Sequence, residues 1–265
     1  MSSQSTCLNC NRDSIEGAAY CIYCGQALHT HRFNFGHIFH EFFHAFTHTD
    51  KTVFGLISGL AVRPGVLVRE YLGGKRKKYF NPFTFLLLVA AFSILVLSWA
   101  GKLHSSPSPS ESVRPSESRV ALDPQTMEIR KRAKQVGEFM NKRQNLVMLI
   151  AVPFIALVYF LAYKKMGLYY AEHLVANVFF NAFVILFSSV IFYPLLAFFR
   201  QPPAVYWVLI PMLFSHVLYY TLAYGQLLQA KGWVAWARVF LVSVLAVLLW
   251  SSLTRLLIGL YIRGF

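Results

Sequence analysis

Cys7, Cys10, Cys21 and Cys24 read C-x-x-C, ten residues, C-x-x-C. Each C-x-x-C knuckle sets two sulfurs on one side of a tight turn. Two knuckles then close a tetrahedron around zinc. Gly25, after the last cysteine, supplies the backbone freedom such a turn wants. A head of this size cannot fold on a hydrophobic core, so the metal must supply its folding energy. A redox dithiol is the alternative reading, but redox pairs normally sit within a βαβ pattern and none is present. Four cysteines fill the coordination sphere and leave no open position for water or substrate. The expected role is therefore structural, with no catalytic residue assigned. His29 and His31 lie nearby and are surplus to a full ligand set.

A second constellation occupies residues 33–48, FNFGHIFHEFFHAFTH. At about 100° per residue, His37, His40, His44 and His48 fall within an arc of roughly 80°, with Glu41 at its border. Phe35, Phe39, Phe42, Phe43 and Phe46 take the opposite side. The Phe face suits a helix lying at the headgroup boundary. Two readings of the polar face stay open. It is an interfacial His stripe, or a second metal site. His40-Glu41-Phe42-Phe43-His44 spells H-E-x-x-H, the helix-borne zinc pair with its base. That chemistry also needs a third ligand and a cleft, and the flanking His37 and His48 argue for a stripe.

The elements that must carry these residues follow from composition. The chain has 265 residues, 56% hydrophobic and 14% charged, with 24 Phe and 14 Tyr. Soluble domains are nearer a quarter charged. The deficit is concentrated after residue 80, as expected where lipid is the solvent. The sequence predicts an all-α polytopic membrane protein with a small N-terminal zinc-ribbon head and interfacial amphipathic helices. The expected organisation is a ribbon at 1–30, amphipathic juxtamembrane helices at 31–79 and a transmembrane domain at 80–265. About five spans are expected, near 82–99, 145–163, 174–198, 204–224 and 236–260, each long enough for about 30 Å of hydrocarbon. A Ser/Pro-rich insert at 101–123 cannot bury a core. A strongly polar helix at 124–144 follows and runs into the second span, with Asp123 and Pro124 as its cap and first position.

The net charge of +14 is read as headgroup attraction rather than nucleic-acid binding. Lys75, Arg76, Lys77 and Lys78 precede the first span, bind anionic headgroups and hold that end cytoplasmic. Lys164, Lys165 and Lys231 then share that side. The head stays where thiols remain reduced. The insert 100–144 points the other way, with nine Lys/Arg against five Asp/Glu. The first 25 residues hold no apolar core, so no cleavable signal peptide is expected.

Arg63-Pro64-Gly65 opens a short helix that Gly73 and Gly74 end, the expected placing of proline and glycine. KRKKYFNPF then brings a basic cluster and aromatic anchors to the membrane edge. The order of these pieces resembles an uncharacterised family of bacterial multi-pass membrane proteins with an N-terminal zinc ribbon. The matching pieces are Cys24-Gly25-Gln26, the His/Phe segment to Asp50-Lys51, Arg63-Pro64-Gly65, Glu70-Tyr71-Leu72, and Gly74-Lys75-Arg76 through Tyr79 and Pro82. Glu172-His173-Leu174 and Tyr224-Gly225-Gln226 match as well. The resemblance implies an inner-membrane location and a multi-pass topology, and the family brings no activity. The five-span layout is also similar to Yip-type membrane-trafficking proteins, a fold-level analogy only.

Inside the spans, Glu172, His173, Asn177 and Asn181 open the third, with the last three on one face. His216 lies mid-span in the fourth, beside Tyr219, Tyr220 and Tyr224. Ionisable groups in lipid usually face a bundle interior or an aqueous cavity. They read either as a polar cavity or as interhelical hydrogen bonds that fix packing. Three function classes result. The favoured one is a non-enzymatic membrane scaffold or adaptor whose ribbon binds a cytoplasmic protein. The second is a transporter of a small solute or lipid on the polar face of the third span. The third is a membrane metalloenzyme built on His40, Glu41 and His44.

Overall fold

The computed structural model describes residues 5–15, 17–28, 53–102, 124–199 and 203–264. The face formed by His37, His40, Glu41, His44 and His48 lies outside the described residues, as does most of the Ser/Pro-rich insert. The head is a two-stranded antiparallel ribbon. β1 (Ser5–Thr6) pairs with β2 (Asp13–Ser14), Ser5 opposite Ser14, and a further bridge joins Tyr20 to Ala27.

The rest of the described chain is helical. α1 (Val53–Val62) and α2 (Pro64–Leu72) are short. α3 (Pro82–Lys102), α4 (Pro124–Ala162), α5 (Tyr170–Phe198), α6 (Ala204–Leu227) and α7 (Gly232–Arg263) are long. Four of them, α3, α5, α6 and α7, are long and apolar enough to cross a membrane, so this is a multi-pass membrane protein. The expected span at 145–163 is the C-terminal part of the 39-residue α4, whose apolar stretch Leu149–Ala162 is shorter than those four. The polar sequence from residue 124 is the same helix.

α5 is the most buried of the four spanning helices and packs against α3, α4 and α6. α7 closes the bundle by packing on α4 and α6. α4 and α7 run antiparallel from Tyr159 to Gln135 of α4. Tyr159 hydroxyl meets Ser243 Oγ at 2.7 Å and the rings of Phe154 and Trp250 lie 5.6 Å apart. Further along, the Tyr261 hydroxyl donates to Gln135 Oε1 at 3.2 Å. At 1.5 Å per residue α4 is about 58 Å long and α7 about 48 Å, against about 31 Å for α3. α4 is therefore the longest helix, and α4 and α7 are each longer than α3 by about 16 Å or more.

Boundaries have local causes. Asn81 caps α3, its Oδ1 accepting the Phe83 and Thr84 N–H groups at 2.9 and 3.4 Å, with Pro82 at the first helical position. Glu172 Oε2 accepts the Tyr169 N–H at 2.8 Å, so this buried carboxylate is the cap of α5 and sits on its positive end. Within α5, Ser188–Phe192 form a π turn just before Pro194. Proline removes one backbone donor and crowds the carbonyl four residues back, and a π turn relieves both.

α1 and α2 do not stand apart from the bundle. Leu56, Leu60, Leu67, Val68 and Tyr71 belong to the same buried core as Val175, Phe179 and Tyr224. The Tyr219 hydroxyl donates to the Leu60 carbonyl at 3.2 Å, and Tyr71 meets Phe179 edge to face at 5.1 Å. The two short helices wedge onto α5 and α6 at the head end.

Candidate metal centre and its junction with the bundle

The two knuckles repeat one backbone design. In the first, Asn11 N–H donates to the Cys7 carbonyl at 2.9 Å and Cys7 N–H to the Arg12 carbonyl at 2.9 Å. In the second, Gly25 N–H donates to the Cys21 carbonyl and Cys21 N–H to the Gln26 carbonyl, both at 2.8 Å. The residue after each second cysteine is left-handed, Asn11 at φ 56° and Gly25 at φ 68°. Glycine takes that conformation freely and asparagine tolerates it. Asn11 is the position the sequence reading missed, although asparagine after a C-x-x-C is itself a signal.

All four cysteines are free thiols whose sulfurs lie within 4.8 Å of one another. Cys7 Sγ and Cys24 Sγ are 3.6 Å apart, and Cys10 Sγ and Cys21 Sγ 3.7 Å. A tetrahedral ion with metal–sulfur bonds of about 2.3 Å separates its sulfurs by about 3.8 Å. A disulfide would need about 2.05 Å. The donor set and its spacing therefore fit a four-sulfur metal site. The electrostatics agree. Burial raises the Cys24 thiol, but the Gln26 N–H, the Asn9 side chain and the Cys7 and Cys10 sulfurs outweigh it and bring it down to about 6. The Arg12 backbone lowers Cys10, yet burial and the three other sulfurs push it up to about 11. One thiolate forms at its neighbours' expense, and a cation at the centre removes that conflict.

The head is tied to the bundle through the second knuckle. Lys77 N–H donates to Gln26 Oε1 at 2.8 Å, and Gln26 is buried. Gln26 follows the left-handed Gly25, so the turn that gathers the cysteine sulfurs also aims this side chain at the junction. Beneath it, Glu70 Oε2 accepts the Lys78 ammonium at 2.8 Å and the Tyr79 hydroxyl at 2.6 Å, with Lys75 at 4.0 Å. These hydrogen bonds from Lys78 and Tyr79 hold the Glu70 carboxyl down at about 2. Two members of the predicted headgroup cluster, Lys75 and Lys78, are thus engaged with Glu70. A third tie joins α2 to the end of α6. Gly65 N–H donates to Gln226 Oε1 at 3.2 Å, and the Arg69 guanidinium donates to the Gln226 carbonyl.

Several of the pieces that carried the family resemblance therefore meet in space. Cys24-Gly25-Gln26 touches Lys77, Glu70 holds Lys78 and Tyr79, and Arg63-Pro64-Gly65 lies against Tyr224-Gly225-Gln226.

The predicted intramembrane polar residues separate into three groups. Glu172 is the helix cap. His173 and Asn177 are fully buried, His173 between Phe160 and Tyr224 at ring distances of 6.2 and 5.8 Å. Asn177 Nδ2 donates to the His173 carbonyl at 2.9 Å and to the Tyr224 hydroxyl. Asn181 and His216 line a cavity together, and His216 Nε2 lies 3.0 Å from Ser188 Oγ. Sequence reasoning had no signal for Tyr159, Ser188 and Ser243, which complete this polar interior from other helices.

Comparison with known proteins brings a family and no activity. A family model described as a protein of unknown function (DUF3667) matches residues 50–94, which hold α1, α2, the basic junction and the first half of α3. No curated protein and no solved structure matches the chain. Over residues 50–94 the chain is thus similar to an uncharacterised family, and the matched stretch is the junction that receives the cysteine head.

Proposed function

We propose that this protein is a non-enzymatic membrane scaffold in which a zinc-loaded head is held on a five-span bundle to dock a cytoplasmic protein. The observation that carries the reading is the tie from Gln26 to Lys77, with five large apolar side chains of the head left exposed. Leu8, Ile15, Tyr20, Ile22 and Tyr23 are all exposed, and Leu8 and Ile22 are the first spacer residues of the two knuckles. A metal knuckle with apolar tips, held at fixed height above the membrane, is a partner-binding surface. α4 supplies the fifth crossing. It lies along α7 from Tyr159 to Gln135, so it must traverse wherever α7 does. The basic junction and Lys164, Lys165 and Lys231 then face the cytoplasm of a bacterial inner membrane, where this basic surface meets anionic headgroups.

The test places a photo-crosslinking residue at Ile22 in living cells. A defined protein adduct is expected, and Cys7→Ser should abolish it while the chain still inserts. Absence of any protein adduct from Ile22, Leu8 and Ile15 in the zinc-loaded chain would reject the docking role.

A further inference from the structure

A recess of about 430 Å³ opens at the head end of the bundle, between the end of α4, the α6–α7 turn and the start of α7. Its cations follow from how α4 ends. The chain leaves α4 through a 3₁₀ turn, Lys164–Met166, which the left-handed Gly167 closes. Both lysines of that turn line the recess, and Arg238 lines it from α7. No Asp or Glu shares the lining. Among the described residues none of the three cations forms an ion pair, whereas Lys75, Lys78 and Arg132 each find a carboxylate. The start of α7 adds to the positive field. Its first turn holds no acidic residue and Lys231 gives it no side-chain cap, so its N–H groups stay open to an acceptor. Tyr163 completes the wall. It is more than nine-tenths buried, at 8% exposure, and its hydroxyl makes no hydrogen bond among the described residues. Arg238 lies close enough for its charge to act on that hydroxyl.

We infer that this recess binds an anionic phosphate group, with a phospholipid as the source that its apolar lining favours. The donor set fixes the chemistry. Two ammonium groups, one guanidinium fork and one hydroxyl all donate, and no side chain on the wall is a carboxylate acceptor. Three like charges around one space repel each other until an anion enters. A carboxylate brings one charge and two oxygens. A phosphate monoester brings nearly two charges and three oxygens, which matches three cations and a hydroxyl better. The depth is that of lipid headgroups. Arg238 stands six residues, about 9 Å, into α7. Trp233, in the first turn of α7, is exposed, as tryptophans at a membrane–water boundary are. Exposed Leu161 and Met166 also line the recess, so a ligand with a hydrocarbon part gains contacts that a free phosphate lacks. This inference uses no part of the head and stands independently of the scaffold reading.

The experiment uses the full chain in uncharged detergent micelles and counts bound ligand by native mass spectrometry. The probes are dioctanoyl phosphatidic acid, dioctanoylphosphatidylcholine and glycerol 3-phosphate. One phosphatidic acid is expected per chain, held about tenfold tighter or more than phosphatidylcholine, whose phosphate carries its own counter-charge. Glycerol 3-phosphate has the phosphate without the chains and identifies the source. Displacement of the lipid at a comparable concentration assigns a free phosphoester, and failure to displace it assigns a lipid. Arg238→Gln, and Lys164→Gln with Lys165→Gln, should each weaken phosphatidic acid about tenfold. All three side chains are exposed, so the bundle should fold without their charges. Lys231→Gln is the control, a cation at the same end that does not line the recess, and it should keep the parental affinity. Equal retention of the two lipids, retention of no phosphate probe, parental affinity in either recess variant, or an equal loss in Lys231→Gln would overturn the inference.

Discussion

Replacing Gly65 with alanine tests whether the seam between α2 and α6 is built as described. A Cβ at Gly65 would lie 2.2 Å from the Ala223 carbonyl oxygen, 2.2 Å from the Leu227 nitrogen and 2.6 Å from Gln226 Cβ. Those distances fall roughly 1 Å or more short of ordinary contact. Two of the obstructing atoms are backbone, so no side-chain rotation relieves them. α2 must lift off α6, which stretches the Gly65–Gln226 hydrogen bond and the Arg69 bond to the Gln226 carbonyl. Overpacking costs about 1–3 kcal/mol. The Arg69 bond is charge-assisted and contributes about 1.5–3 kcal/mol when made. Against this, glycine to alanine in a helix returns about 0.5–1 kcal/mol. The net expectation is a loss of about 1.5–5.5 kcal/mol. Gly55 in α1 is the control, because nothing lies within 4 Å of a Cβ there. Gly55→Ala should gain about 0.5–1 kcal/mol. The assay is unfolding of the purified chain in mixed micelles with rising detergent denaturant, followed by helical circular dichroism. Opposite signs for the two alanine variants are expected. A neutral or stabilising Gly65→Ala would refute the seam.

Parent protein should carry one zinc per chain by elemental analysis, and Cys7→Ser or Cys24→Ser should release it and unfold the head alone. Glu70 is a depressed carboxyl, about 2 against 4.5, so its contribution is present above pH 4.5 and fades as pH falls towards 2. Glu70→Gln should flatten that acid limb and cost about 1–2 kcal/mol at neutral pH, the partly exposed pairing being screened. A stability profile of the glutamine variant that still falls between pH 4.5 and 2 by the parental amount would place the effect elsewhere. Replacing His40 and His44 together with Gln should leave metal at one per chain if the His face is interfacial. A drop from two to one would instead assign it a second ion, and Glu41→Gln would then keep both metals and lose any turnover. A cytoplasm-active reporter before residue 1 and a periplasm-active reporter near Ser110 should both function, whereas the reverse pattern would give orientation to the basic insert.

What was legible in the sequence was what the chain encodes locally. C-x-x-C fixes the sulfurs of one knuckle within a few residues, so the clustering of the four cysteines was readable, and Gly25 announced the left-handed turn. Pro64, Gly73 and Gly74 bracketed α2 for the same reason. Apolar runs announced the long helices, because lipid tolerates no alternative. The ends were less legible. Hydropathy ends a span where charge appears, whereas a helix continues until its backbone is interrupted. The polar residues 124–144 therefore belong to the helix that holds the apolar stretch 149–162. α1 and α2 read as a juxtamembrane pair because nothing in their sequence says that Leu60 and Tyr71 will meet α5 and α6.

The junction shows why partners distant in sequence stayed hidden while the motifs did not. Gly65 and Gln226 are 161 residues apart, and neither residue type announces the other. A glycine two positions into a helix is weak as a helix former, so its presence there signals a close approach, but the approaching surface stays unnamed. The same holds at Gly225, where a Cβ would fall 2.3 Å from the Trp236 ring. Gly65 faces α6 across one side of this corner and Gly225 faces α7 across the other, so α2, α6 and α7 close on two adjacent absences of a side chain. Three neighbours at this spacing leave little freedom to slide, and Gln226 between them spends its side chain on α2 and its carbonyl on Arg69. A head tied by Gln26 to Lys77, above a junction whose Glu70 holds Lys78 and Tyr79, inherits that rigidity. Loosening the corner at Gly65 should therefore free the head relative to the bundle without removing its metal, a separation that zinc content and crosslinking from Ile22 can read independently.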